Sequence, residues 1–350
     1  MTRRLDADDP CPVRDGYWMP AEWTAHARTW MCWPCRTEAW GGPDGLLRAK
    51  QAVARIARAI STFEPVVMAV RPCDAAEVKL ACAGKAEIFE CPLDDSWARD
   101  IGPTFLTGQG ALPAAVQWQF NAWGGKYTPY ADDAHFATRV GQRMRASVYL
   151  APLVCEGGAI HVDGQGTLLT TEQCLLNSNR NPELTQQQVE ERLALFTGAR
   201  RIIWLGDGFC DEETDGHIDN IACFAEPGLV IVGVPQAKSH PDYGPVREAI
   251  RRLEEARDAE GRALKIAEIV QPAATRLDWR GRPLAASYVN FYLTNGGVVM
   301  PAFEDANDEA ARAVIADCFP GRDILQIDAQ DVVMGGGGIH CITQQEPLGH

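Results

Sequence analysis

No run of this 350-residue chain is long and apolar enough to cross a bilayer as a helix. The longest candidates, GGVVMPAF at 296–303 and GLVIVGVP at 228–235, fall far short of the roughly 20 residues a spanning helix needs, and they suit buried strands. The opening twenty residues carry arginines but no apolar core of a secretory signal, so a cytoplasmic location is the expectation. Low-complexity tracts are missing too, which excludes a disordered or fibrous chain. There is no Pro- or Ser-rich linker. Length alone suggests about two domains, yet without a linker one closed domain over residues 1–350 is favoured. No basic stripe and no aromatic-plus-arginine platform accompany the formal net charge of −14, which argues against nucleic acid, whose phosphates need clustered cations. An acidic field gathers cations instead, so a small ligand would be positively charged.

Zinc-site spacing is incomplete. The one Cys-x-x-Cys, Cys32 to Cys35 in CWPC, has no second pair and no His-x-His partner, which leaves a redox pair or half a zinc site as alternatives to a strand end packed into a core. Pro34 and the flanking tryptophans favour the core. Twelve cysteines without a secretory signal read as reduced thiols. Neither a metal nor an organic cofactor is expected.

What is present is repetition. Helical periodicity marks 45–63, 131–148, 185–198, 244–261 and 305–319; in the third, Thr185 and Gln188 have capping-box spacing, Val189, Leu193 and Phe196 share a face, and Gly198 stops the helix. Short strands lie between them, in PVVMAVR, RIIWL and DILQID. Hairpins are legible in AIHVDGQGTLLTT, IDNIACFAEPGLVIVG and SYVNFYLTNGGVVMP. Strand, turn, strand and helix recur every 50 to 60 residues or so, a period that points to repeated α/β units closing on themselves, with sheet edges buried and strand entrances facing a common axis. Five helices imply about five units.

Four stretches place ionisable groups beside glycines or aromatics at strand entrances: DDSWARDIGPTF with Asp94, Trp97, Arg99 and Asp100; CEGGAI with Glu156; DEETDGHIDN with Glu213, His217 and Asp219; and GGGGIHCITQQEP with Gly338, His340 and Cys341. Taken singly, each reads as a turn, a surface ion pair or a solvated acidic loop, and Asp163 in HVDGQG is a hairpin turn residue. Together they put a cysteine, a histidine and three carboxylates at the centre of a closed repeat. A thiolate is a strong nucleophile once activated, and histidine handles protons near neutral pH. Two or three carboxylates would oppose an acyl oxyanion. They suit a planar guanidinium, whose N–H fork they accept in bidentate fashion while its central carbon faces the sulfur.

With MPAEWTAHARTWMCWP at 19–34, FNAWGGKY at 120–127 and EGGAIHVDGQGTLLTTEQCLLNSNRNP at 156–182, these stretches resemble, nearly end to end, the agmatine deiminases of the guanidino-group-modifying superfamily. The resemblance implies a five-bladed α/β propeller of pseudo-fivefold ββαβ units and a homo-oligomer, dimer or larger. It implies that Cys341 attacks the guanidinium carbon, that His217 is acid and base, that Asp100 and Asp219 grip the guanidinium nitrogens, and that Glu156 either orients the histidine or holds a nitrogen. Glu213 would meet a distal amine. Trp97, Asp94 and Gly338 would belong to the substrate pocket; Trp123 is a further candidate wall, with core packing favoured. An Asn is common in the family where Gly338 and Asp215 stand, which bears on rate and fine specificity. The implied reaction takes agmatine to N-carbamoylputrescine and ammonia, towards putrescine, and Arg99 reads as a structural ion pair that leaves no basic partner for a substrate carboxylate. A sibling guanidino substrate and a non-catalytic polyamine-binding protein are the rivals, and a catalytic Cys341 is expected to outpace the other thiols towards iodoacetamide.

Overall fold

The computed structural model describes residues 9–109, 112–209, 213–273, 277–284 and 286–349. Among these, the strands fall into five sheets of three or four strands. Each sheet contains an antiparallel pair and a parallel pair, and a helix fills the parallel crossover, as a parallel connection requires. Strands Thr104–Gly108 and Ala114–Gln119 pair antiparallel, the helix Phe136–Met144 follows, and Val148–Val154 returns parallel. The same order runs through His161–Val162, Thr167–Thr171, helix Gln186–Thr197 and Arg201–Leu205. It recurs from Ala222 to Val270 and from Tyr292 to Asp328.

The fifth sheet joins the two ends of the chain. Thr343–Pro347 pairs antiparallel with His26–Cys32, Thr343 opposite Met31, and His26–Cys32 then pairs parallel with Val66–Val70. Val66–Val70 (VVMAV) is buried at every position, the pattern of a strand covered on both faces. Its covering helix, Pro43–Ile60, starts with Pro at the first turn and buries Ala49, Ala52, Val53, Ile56, Ala57 and Ile60 along one stripe.

The predicted helices are present, each ending earlier than predicted, and the capping box of Thr185 and Gln188 forms with Gly198 left-handed behind it (φ 80°). A helix at Ala75–Ala81 was not expected; its seven residues bury only Val78, too weak a stripe to read. Cys32 ends a buried strand and Cys35 donates to the Leu93 carbonyl, so CWPC packs into the core. Among the described residues no helix is long and apolar enough to cross a membrane.

Candidate active site

The chain enters each sheet's antiparallel pair through a short polar turn. Ala98–Ile101 precedes Thr104–Gly108, Gly157–Ala159 precedes His161–Val162, Ile218–Asn220 precedes Ala222–Glu226, and the turn at 339–342 precedes Thr343–Pro347. These are the four stretches singled out in the sequence. The fifth equivalent place, before Tyr292–Thr294, holds Asn290, which sequence reasoning missed because a lone Asn in SYVNFY carries no charge.

The turns converge. Asp219 Oδ2 lies 3.4 Å from Cys341 Sγ, and Asn290 Nδ2 donates to that sulfur at 3.2 Å. Gly158 N–H donates to Asp100 Oδ1 at 3.0 Å. A Cβ placed on Gly158 would come within 2.6 Å of His217 Nδ1, 2.9 Å of Asp100 Oδ1 and 3.0 Å of Asp219 Oδ2, so only glycine leaves that space open. Asp100, Glu156, His217, Asp219 and Cys341, drawn from the four stretches with His217 and Asp219 sharing one, are thus brought to one buried cluster.

Its charges are set by burial and by each other. Burial, then Asp219 and Asp100, push the Cys341 thiol well above the ordinary thiol range, so it is protonated at rest. For His217 burial opposes the charge, but Asp100, Cys174 and Glu156 outweigh it and hold the ring protonated well above the usual imidazole range. Its Nδ1 faces Asp100 Oδ1 at 3.8 Å and Nε2 faces Glu156 Oε2 at 3.5 Å, and neither nitrogen has a hydrogen-bond partner among the described residues. Asp219 Oδ1 is likewise buried without one. An unpaired buried acceptor is costly, and Asp219 Oδ1 stands ready for a ligand that supplies an N–H donor. Glu156 cannot serve such a ligand with both oxygens: Arg180 Nε occupies Oε1 at 2.7 Å, which leaves Oε2 for the histidine.

The glycine run is explained by close neighbours. A Cβ on Gly338 would meet Asn290 Oδ1 at 2.3 Å; this chain therefore has no room for a side chain there while Asn290 keeps its place. At Gly337 it would meet Trp97 Cζ3 at 2.5 Å and Cys341 Cβ at 3.0 Å, and Trp97 cannot withdraw because it stacks on Trp40 with ring centroids 5.5 Å apart. Gly337→Ala is therefore expected to cost about 1–3 kcal/mol by overpacking and to lower kcat through displacement of Cys341, checked by thermal melting and steady-state rates side by side.

Two expectations change. Trp123 is not simply core: its indole N–H donates to Asp100 Oδ2 at 2.9 Å. The left-handed stretch Ala122–Gly125, with Trp123 at φ 53°, aims it there, and strain of that kind gathers at functional sites. Arginines also reach the site from outside the four stretches. Arg282 pairs with Glu213 Oε1 and, at 2.7 Å, with Asp278, while Tyr127 donates to Glu213 Oε2 at 2.8 Å. Glu213 lies against Gly336, with Tyr127, Trp279 and Arg282 around it. Asp94 is occupied elsewhere, accepting from the Asp132 N–H at 2.9 Å; no described contact joins it to the cysteine cluster. Asp215 sits in the left-handed region (φ 59°), which Asp and Asn both tolerate, and pairs with Lys126 and Arg180 at 2.9 Å each. Asp211 and Glu212 lie outside the described residues.

Glu156, Cys174 and His217 offer one donor atom each within 4.8 Å, the only described group of a kind that could take an ion. The Arg180 cation on Glu156 and the protonated state of His217 both oppose a metal there.

The sequence profile of the Porphyromonas-type peptidyl-arginine deiminase family matches residues 18–347. The chain belongs to that family. Among its relatives, a Legionella pneumophila protein provisionally named as an agmatine deiminase is 47% identical over 341 residues, covering 97% of each chain. The agmatine deiminase of Stutzerimonas stutzeri is 40% identical over 362 residues, 96% of this chain and 97% of that one. The solved agmatine deiminase of Enterococcus faecalis superposes with a TM-score of 0.93 at 35% identity, over 99% of both chains.

Proposed function

We propose that this chain is an agmatine deiminase, hydrolysing agmatine to N-carbamoylputrescine and ammonia. The observation that carries the reading is Cys341 Sγ 3.4 Å from Asp219, a carboxylate whose Oδ1 is buried without a hydrogen-bond partner among the described residues, in a family whose full-length relatives bear that name. Asp100 and Asp219 take the guanidinium N–H groups and hold its carbon before the sulfur. The arriving cation offsets the negative charge that keeps the thiol protonated, so the thiolate forms when substrate is there to attack; the proton leaves through Asp219, the carboxylate beside Sγ. The C–S bond forms, protonated His217 gives its proton to the departing nitrogen, and ammonia leaves an amidino-thioester. Neutral His217, oriented by Glu156, then draws a proton from water. Hydration and collapse break the C–S bond and release the urea product.

The same reading carries a closed five-bladed α/β propeller as one domain, a cytoplasmic location and a homo-oligomer. The five like sheets and the pairing of Thr343–Pro347 with His26–Cys32 support the closed propeller. The deciding experiment is ammonia release from metal-free protein with agmatine, free arginine and a blocked arginine peptide in parallel. Turnover of agmatine alone supports the assignment, and preference for arginine overturns the substrate. For the distal amine, Glu213→Gln is expected to raise KM for agmatine about tenfold or more with kcat little changed, the mark of lost uniform binding; an unchanged KM would mean that Arg282 keeps Glu213 from the substrate.

A further inference from the structure

The motif MPAEW near the start of the chain has no part in the mechanism above, yet its Glu22 is buried beneath the active site. Glu22 Oε1 lies 2.8 Å from His340 Nε2, and the other nitrogen of the same ring, Nδ1, lies 3.0 Å from Asp219 Oδ2. Arg99 Nη1 donates to Glu22 Oε1 at 3.2 Å, and Arg99 Nε approaches the His340 carbonyl at 3.5 Å. His161 Nε2 stands 3.8 Å from Glu22 Oε2. Cys223 lines the space between Glu22 and Asp219, and Cys341 follows His340 in the chain.

The two histidines differ in one decisive respect. His161 Nδ1 accepts the Phe224 N–H at 3.3 Å, so only Nε2 of that ring is left to donate. His340 faces a carboxylate at each nitrogen, and ionised carboxylates can only accept, so both nitrogens must donate. Arg99, Glu22, His340 and Asp219 then form a line of alternating charge that ends at Cys341.

We propose that Glu22 is a positioning residue that holds His340 as an imidazolium and so commits Asp219 Oδ2 to the protein, leaving Asp219 Oδ1 as the oxygen that takes the guanidinium. The proposal rests on the reading that Asp219 grips the substrate. Burial and Arg99 oppose the charge on His340, and Glu22 with Asp219 outweighs them. Asp219, for its part, is held below the ordinary carboxylate range against burial, chiefly by His340. Without Glu22, the Arg99 cation is left facing the ring, His340 becomes neutral, and Asp219 ionises only at higher pH.

The test uses the full chain with ¹⁵N-labelled imidazoles, with the His340 signals assigned by loss in His340→Asn. Both ring nitrogens are expected to stay protonated from about pH 6 to about pH 8 in the unaltered protein, where an ordinary imidazole loses its proton. A single neutral tautomer at about pH 8 overturns the proposal, whether or not any Glu22 variant folds and whether or not agmatine is the substrate. In Glu22→Gln the imidazolium signature should vanish by about pH 8, and the acid limb of kcat/KM should move up by about one pH unit, with Glu22→Asp restoring part of it. A variant that lost activity with both the limb and the His340 signals unmoved would make Glu22 structural only, and would overturn the proposal.

Discussion

Cys341→Ala is expected to lower agmatine turnover by about 10⁴-fold or more, to the level of adventitious hydrolysis, with little change in melting temperature. The side chain removed is small and buried at the floor of a polar cluster, so the fold loses few apolar contacts while the reaction loses its nucleophile. The comparison with Cys341→Ser is informative, because an alkoxide at that place is far harder to form than a thiolate beside two carboxylates. Rates comparable to the unaltered protein in either variant would remove covalent catalysis from the account. The resting thiol also revises one expectation about reactivity. Buried, donating to Asp219 and pushed well up in pKa, Cys341 should react slowly with iodoacetamide in the free enzyme, and Cys73, exposed at the surface, should be labelled first. A small cationic guanidine in the pocket would lower the thiol and speed its alkylation where the reagent still fits.

His217→Ala is expected to cost about 10²–10⁴-fold in kcat, with a smaller effect on KM, because the ring moves protons in both halves of the reaction. The sign of the pH dependence follows from the direction of its shift. Asp100, Cys174 and Glu156 hold His217 protonated well above the ordinary imidazole range, against burial. The acid form that protonates leaving ammonia is therefore abundant below that raised value and is lost as pH rises through it. Turnover should persist well to the alkaline side of about 6.5, where an ordinary histidine titrates, and then fall. Glu156→Gln should move that fall to lower pH by removing one of the charges that sustain it, read from kcat against pH. A fall at the ordinary imidazole value would show that the carboxylates do not act on the ring as described.

The chemistry was more legible than the architecture that assembles it. Cys341, His217, Asp100, Asp219 and Glu156 stand out only together, because a thiol, an imidazole and several carboxylates next to glycines at strand entrances are expensive to gather without a use, and the family resemblance then gave each a role. Their partners were silent for equally physical reasons. Arg180 and Arg282 lie in segments with no site-like pattern, and only the fold brings them to Glu156 and Glu213. Trp123 reads as core from its hydrophobicity; what makes it polar is a backbone turn through four left-handed residues, which only the two glycines after it hint at. Asn290 was hidden by its neutrality. Several strands were not read, Thr104–Gly108, Ala114–Gln119 and Val148–Val154 among them; Thr343–Pro347 was hidden because TQQEP has the composition of a loop, and its pairing with a strand some three hundred residues earlier fixes it.

That pairing of the two ends sets an order of assembly. On the proposed mechanism every binding group of the site is made on the ribosome before the sulfur, since Asp100, Glu156, His217 and Asp219 all precede Cys341, and the strand that seats it follows at once. A chain halted earlier would hold the groups that attract a guanidinium but no atom able to attack it, and it would leave the edge of His26–Cys32 uncovered for another chain to pair with. Incomplete copies should thus be inert and prone to aggregate, which exposes them to quality control and spares the cell a leaky enzyme.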